Sequence, residues 1–118
     1  MKTFLAVFTG TPNSPSRAQW DKLDPAARQA REASGMKAWG EWMVKHKGAL
    51  VFEGGPLGKT KRTSHDCVKD VSNNLAGFVI LKAESQEAAA RLFENHPHFA
   101  IFPGEAVEVM EVLPIPGR

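Results

Sequence analysis

Apolar residues fall along this chain in short runs separated by stretches with a helical period. Thr3 to Thr9 holds Phe4, Leu5, Val7 and Phe8 and ends at the breakers of GTPNSP, which predicts a first strand buried on at least one face. Ser14 before Pro15 and Asp24 before Pro25 each place a side-chain oxygen ahead of a proline, the signature of an N-cap followed by the first helical residue, so helical pieces start at both. From Pro25 to about Lys47, Ala26, Ala30, Ala33, Met36, Trp39, Met43 and His46 recur at spacings of three and four, the stripe of a long helix facing a core. Lys45, His46 and Lys47 complement the negative end of its dipole, and Gly48 supplies a C-cap. Gly35 and Gly40 each cost about 1 kcal/mol relative to alanine in an exposed helix interior. Close approach to another backbone, or a kink near Ser34 and Gly35, accounts for their presence.

Ala49 to Glu53 reads as a second strand, ended by EGGPLG. KTKRTSHDCVKD alternates weakly through Thr63, His65 and Cys67 and fits an edge strand or a hairpin arm. AGFVILKA, with the continuous run Phe78, Val79, Ile80 and Leu81, is the clearest strand and is expected to be central. Ser85 caps a helix through about Asn95 with Ala89, Leu92, Phe93 and His96 on one face, and Pro97 stops it. Ala106 to Leu113 alternates and forms a last strand. The order predicts an α+β fold, a ferredoxin-like βαββαβ plait whose mostly antiparallel sheet carries two main helices on one face. The other sheet face needs a cover. In so small a chain a second copy supplies it, so a homodimer with sheets packed face to face is expected.

Composition narrows the partners. With 118 residues, 42% of them hydrophobic and 24% charged, the chain fits one domain spanning residues 1–118. A net charge of +2 with no long basic block argues against nucleic acid. MKTFLAVFTG faintly mimics a signal peptide, but Thr9, Gly10 and Thr11 interrupt it without a cleavage pattern. No apolar stretch approaches the roughly 20 residues of a membrane span, so no membrane role is expected. Cys67 stands alone, with no identifiable activating neighbour, and the four histidines form no zinc pattern, which together suggest a reducing cytoplasmic setting and no metal. Gly54 and Gly55 lack the length and helix context of a phosphate-binding loop, and no cofactor is expected.

FEGGPLGKTKRT, with Gly55, Pro56, Leu57 and Lys59, resembles the Gly-Pro loop of the YCII-related or DGPF-type family. LAGFVILKAESQEAAARLFENHPHF followed by GEAVEVMEVLPI is similar to that family's second half, a strand leading to an alanine-rich helix, a proline and a final Glu-Val strand. The resemblance runs from Thr3 to Ile115. It implies a dimeric α/β barrel, a family with mostly unassigned roles, some members being small lyases on chlorinated aromatics and others accompanying transcription regulators. Some members carry a histidine paired with an aspartate on the first long helix. Here the corresponding stretch reads GMKAWGEW, with Lys37 and Trp39 in that place, so the dyad does not carry over.

His96 and His98 flank Pro97 and form the sharpest local chemistry. A histidine carries protons near neutral pH, and two on a rigid turn could hold a carboxylate or phenolate. The plainer alternative makes His96 a core residue and His98 a loop contact. His65 and Asp66, adjacent on a strand, would point to opposite faces, each free to pair elsewhere. His46 reads as a capping or packing residue. Trp39, Trp42 and Met43 cluster at helical spacing, as core or as the apolar wall of a pocket for a flat ligand. Lys59, Lys61 and Arg62 could attract an anion or simply solvate an edge, and Glu53 is open to the same range of roles. Three functions fit: a small lyase or isomerase working by histidine acid/base chemistry on an aromatic or anionic molecule, a non-catalytic ligand-binding module, and a regulatory or protein-interaction module.

Overall fold

A computed structural model describes residues 1–117. β1 (Lys2–Thr9) leads into α1 (Pro15–Asp21) and α2 (Pro25–Lys45). β2 (Leu50–Pro56), β3 (Thr60–Thr63), β4 (Val68–Val71) and β5 (Leu75–Ala83) follow, then α3 (Gln86–Arg91), α4 (Pro97–Ala100) and β6 (Ala106–Glu111). The main sheet has the order β2-β5-β1-β6, and every neighbouring pair is antiparallel. This is the strand order of a βαββαβ plait into which a hairpin, β3 and β4, has been inserted as a separate two-stranded sheet. The α+β reading therefore holds, with β5 in the interior of the sheet beside β1.

The two proline-led helix starts form as their chemistry dictates. Ser14 Oγ accepts from the Arg17 N–H at 3.1 Å and Asp24 Oδ1 from the Ala27 N–H at 2.8 Å, satisfying donors that a helix start leaves free. Period-two alternation then sorts the sheet. Phe4, Ala6 and Phe8 of β1 oppose Leu81, Val79 and Gly77 of β5, and this face lies under α2 and α3, where Trp42, Ala89 and Phe93 close the core. Phe4 and Leu81 are fully buried, each stabilising the fold by about 1.5–3 kcal/mol relative to exposure. Leu5, Phe78, Ile80, Phe52 and Met110 belong to the opposite face, where Phe52 packs on Phe78 with ring centroids 5.9 Å apart. Principal extents of 55 × 42 × 19 Å match a two-layer slab, and among the described residues no helix covers the second sheet face.

Several expectations shift. The stripe on α2 is offset from the one read in the sequence: Ala26, Ala30, Ala33 and Met36 are exposed, while Gly35 and Trp42 are buried and Trp39 and Met43 half-buried. The first half of α2 meets the chain after α4 rather than the sheet, with Arg31 Nη2 donating to the Ile101 carbonyl at 2.9 Å. Gly35 is there because the Phe102 ring occupies the space a Cβ would need; Gly40 has open space around it. β2 does not end before the Gly-Pro segment but runs through it to Pro56, by means of a bulge. Between Phe52, opposite Ile80, and Gly55, opposite Phe78, β2 advances one residue more than β5. Gly54 takes the strain with φ 65°, and a Cβ there would collide with the Phe78 carbonyl. The helix expected to reach Asn95 ends at Arg91. Its continuation tightens into i to i+3 bonds at Leu92, Phe93 and Glu94, and Asn95 turns left-handed at φ 59°.

The two glycines give opposite expected outcomes in urea denaturation. Gly54→Ala lowers the unfolding free energy by about 2 kcal/mol or more, because both its φ and the neighbouring carbonyl forbid a side chain. Gly40→Ala, in a helix interior with nothing to strike, raises it by about 1 kcal/mol.

Candidate functional site

The stretch from Asn95 to Gly104 is built around two histidines. Pro97 begins a helix here instead of ending one: it is the first residue of α4, and His96 is the N-cap. His96 Nδ1 accepts from the His98 N–H at 3.0 Å. A ring nitrogen that accepts cannot carry the hydrogen, so neutral His96 holds it on Nε2. That Nε2 is buried and has no hydrogen-bond partner among the described residues. Its surroundings are aromatic: Trp39 stands edge-on to the imidazole at 4.5 Å and 89°, Trp42 at 4.8 Å, and Phe8 lies 5.2 Å away. Such a cage offers an N–H at best a weak π partner.

His98 is pinned from a different direction. Its Nε2 lies 2.7 Å from the Thr9 carbonyl. A carbonyl only accepts, so Nε2 bears the hydrogen and Nδ1 of the neutral ring keeps a lone pair. The Thr9 carbonyl is turned away from β5, since the same peptide unit sends its Gly10 N–H to the Asn74 carbonyl on that side at 2.9 Å. The same carbonyl also accepts from the Glu105 N–H at 2.9 Å. Gly104 completes the seat, since any Cβ at that position would strike the imidazole of His98, and its own N–H donates to the His98 carbonyl at 2.9 Å.

The His98 ring lines a chamber of about 360 Å³ between α2 and the sheet. From α2 come Met36, Trp39, Trp42 and Met43; from the sheet, Phe8, Gly77 and Val79; Phe102 closes one side and Glu53, Gly55 and Pro56 of β2 another. The volume is at the lower end of the roughly 300–1,000 Å³ of small-molecule sites, matching a single substituted ring. Beyond His98, Ala76 and Phe102 lies a second, more polar cleft of about 510 Å³ reached by Thr11, Arg17 and Asp21. Trp42 spends its indole N–H on the Leu92 carbonyl at 2.9 Å, which fixes it as wall.

Of the residues singled out in the sequence, Trp39, Trp42, Met43, Glu53 and His98 meet in this chamber, with His96 behind its wall. His65 and Asp66 do not sit on a strand; they form the exposed turn between β3 and β4, where four residues rather than two are needed to reverse the chain. Lys59 and Arg62 are exposed on the same insertion, outside the chamber lining. Lys61 pairs with Asp70 across the hairpin at 2.6 Å. His46 is the C-cap of α2 and packs on Trp42 at 4.9 Å. Phe8, Gly77 and Phe102 as chamber residues were invisible in the chain because their distance in sequence from α2 hides the contact. Among the described residues no cluster of three His, Cys, Asp or Glu side chains could hold a metal ion, and no helix is long and apolar enough to cross a membrane.

Burial dominates the electrostatics. It lowers His96 from 6.5 to about 4, with the nearby rings of His98 and His46 adding smaller pushes in the same direction. Burial also lowers His98, against which the bond to Thr9 pulls upward. Both rings are therefore neutral in the folded protein at pH 7. Because the folded pKa of His96 lies below its unfolded value, the stability it confers is complete above pH 6.5 and drains as pH falls toward about 4, the unfolded chain taking up a proton that the folded one refuses. Urea denaturation is expected to show a loss of about 2–3 kcal/mol between pH 7.5 and 4.5 from this group. His96→Phe should flatten that slope while losing the cap to the His98 N–H.

No family model matches the chain, and neither does any curated protein. Among solved structures it is similar to 5-chloro-2-hydroxyhydroquinone dehydrochlorinase from Burkholderia phenoliruptrix, in a complex with 2,5-dihydroxybenzoquinone. The TM-score is 0.52 and the identity 21%, over 92% of this chain and 90% of that one. That likeness, over nearly the whole of both chains, shows the fold.

Proposed function

We propose that this chain binds a small, flat aromatic molecule in the chamber between α2 and the sheet, and that His98 moves a proton on it in a lyase- or isomerase-type reaction. The observation that carries this reading is the seat of His98: a ring held by its Nε2 hydrogen on Thr9, in the wall of a chamber otherwise lined by aromatic and thioether side chains. A base so placed is neutral and presents a lone pair at Nδ1, without needing to lose a proton first. Trp39 and Phe8 offer faces and edges for ring stacking. The fold shared with a dehydrochlorinase of a chlorinated hydroxyhydroquinone, and the likeness of FEGGPLGKTKRT and GEAVEVMEVLPI to YCII-related sequences, support the same class of ligand.

The open sheet face supports a homodimer as the working unit. Phe52 and Met110 are 55% and 43% exposed on a face that also carries Leu5, Phe78 and Ile80, a contiguous apolar surface of the kind monomers seldom leave to water. Seating two such faces together would give the barrel of paired sheets that the family resemblance implies.

Thermal-shift titration with 2,5-dihydroxybenzoquinone and 5-chloro-2-hydroxyhydroquinone, with chloride release followed for the latter, tests the site. Ligands of the right class raise the melting temperature in proportion to the logarithm of their concentration. His98→Gln, whose amide can still donate to Thr9, is expected to keep binding and to lose turnover by about 10²–10⁴-fold. Turnover unaffected by that change sinks the role of His98; saturable binding without turnover in either protein selects a ligand-binding module. For the dimer, light scattering of Ile80→Asp should report half the mass of the parent protein, and an unchanged mass would rule out the open face as the interface.

A further inference from the structure

Glu53 is the feature of the chamber that the roles given to His98 and the aromatic walls leave unused. Apart from His98 it is the one ionisable side chain in the lining among the described residues. Among the described residues its side chain makes no hydrogen bond or ion pair. Its position is the product of a built device. Phe52 faces the open side of the sheet against Phe78, so the next residue, Glu53, takes the helix side, and the bulge at left-handed Gly54 follows at once. A bulge bends its strand and re-aims the side chain beside it, and here that side chain is a carboxylate at the edge of an apolar chamber.

Charge then decides what such a site accepts. A ligand with its own carboxylate at this end would meet Glu53, and among the described residues no lysine or arginine lines the chamber to compensate. Lys59 and Arg62 lie outside the lining, and Arg17, in the adjoining cleft, is 3.3 Å from Asp21. A hydroxyl on a neutral ring, in contrast, supplies what a carboxylate lacks, a donor, and hydrogen bonds to charged acceptors are the stronger kind.

Resting on the reading of the chamber as a binding site, the geometry points to Glu53 as the residue that selects the ligand class: a neutral hydroxylated ring, a phenol or benzenediol, donating an O–H to the Glu53 carboxylate while the ring meets His98. This narrows an aromatic or anionic ligand to a hydroxyl-bearing one. Glu53 is a specificity residue in this account, and His98 keeps the proton transfer.

Calorimetric titration under anaerobic conditions with benzene-1,4-diol, its dimethyl ether and 4-hydroxybenzoate tests the assignment on the parent protein, Glu53→Ala, Glu53→Lys and Trp39→Ala. The parent is expected to bind the diol at least about tenfold more tightly than the ether. Glu53→Ala should erase that advantage while leaving the ether's affinity in place, and Glu53→Lys should turn the preference toward 4-hydroxybenzoate. A diol-to-ether ratio unchanged in Glu53→Ala overturns the role of Glu53, and if Trp39→Ala still abolishes binding of both, the chamber survives as the site. Absence of binding by all three probes to the parent protein overturns the chamber and the role of Glu53 together. Glu53 is exposed, so unaltered melting temperatures of its variants separate recognition from folding.

Discussion

A single carbonyl, that of Thr9, ties the end of β1 both to the approach of the last strand and to the histidine turn. It ends β1 at a bulge of β5, takes the Glu105 N–H that starts the approach to β6, and takes the imidazole Nε2 of His98. The first of these bonds sets the path of the chain into the last strand. The second fixes a ring that would otherwise rotate. Because a carbonyl has two lone pairs, one backbone group can position the sheet edge and the candidate proton carrier together. The aromatic rings of Phe8, Trp39 and Phe93 then pack around an imidazole pair whose orientation is already decided.

The two histidines divide the work by chemistry that differs in one atom. His96 uses Nδ1 as acceptor and buries Nε2, so its structural role is a cap and its environment resists protonation. His98 uses Nε2 as donor and keeps a lone pair on Nδ1. A backbone N–H and a backbone carbonyl thus impose opposite tautomers on residues two apart, and proline between them fixes the backbone angle that makes both bonds possible.

Much of this fold was legible in the chain, and the reasons for success and failure are local. Ser14-Pro15 and Asp24-Pro25 announced helix starts because capping needs only neighbours in sequence. The run from Phe78 to Leu81 announced an interior strand because continuous apolar residues have few other uses. Pro97 misled because the residue that ends one helix can open another, and choosing between them requires knowing that Asn95 turns left-handed. The offset of the α2 stripe came from Phe102, which occupies the groove at Gly35 from more than sixty positions away in the chain. The aromatic wall of Trp39, Trp42 and Met43 could be named from helical spacing, but its facing partners on β1, β2 and β5 could not. His65, Asp66, Lys59 and Arg62 stood out in the chain because they are polar and clustered, and the structure places them, exposed, at or beside the β3 and β4 hairpin and outside the chamber lining, a separation that spacing along the chain does not reveal.

β5 serves two faces with consecutive residues. Gly77 and Val79 form the chamber floor, while Phe78 and Ile80 form the outer apolar surface. A shift of one position along this strand would exchange the two sets completely. Length is consequently frozen in β5, where a single inserted or deleted codon would drive Phe78 and Ile80 into the chamber and turn Lys82 toward the helix layer in one step. The β3 and β4 hairpin, paired only with itself, is free of that constraint, and it is where this architecture can lengthen, shorten or acquire new sequence without disturbing its interior.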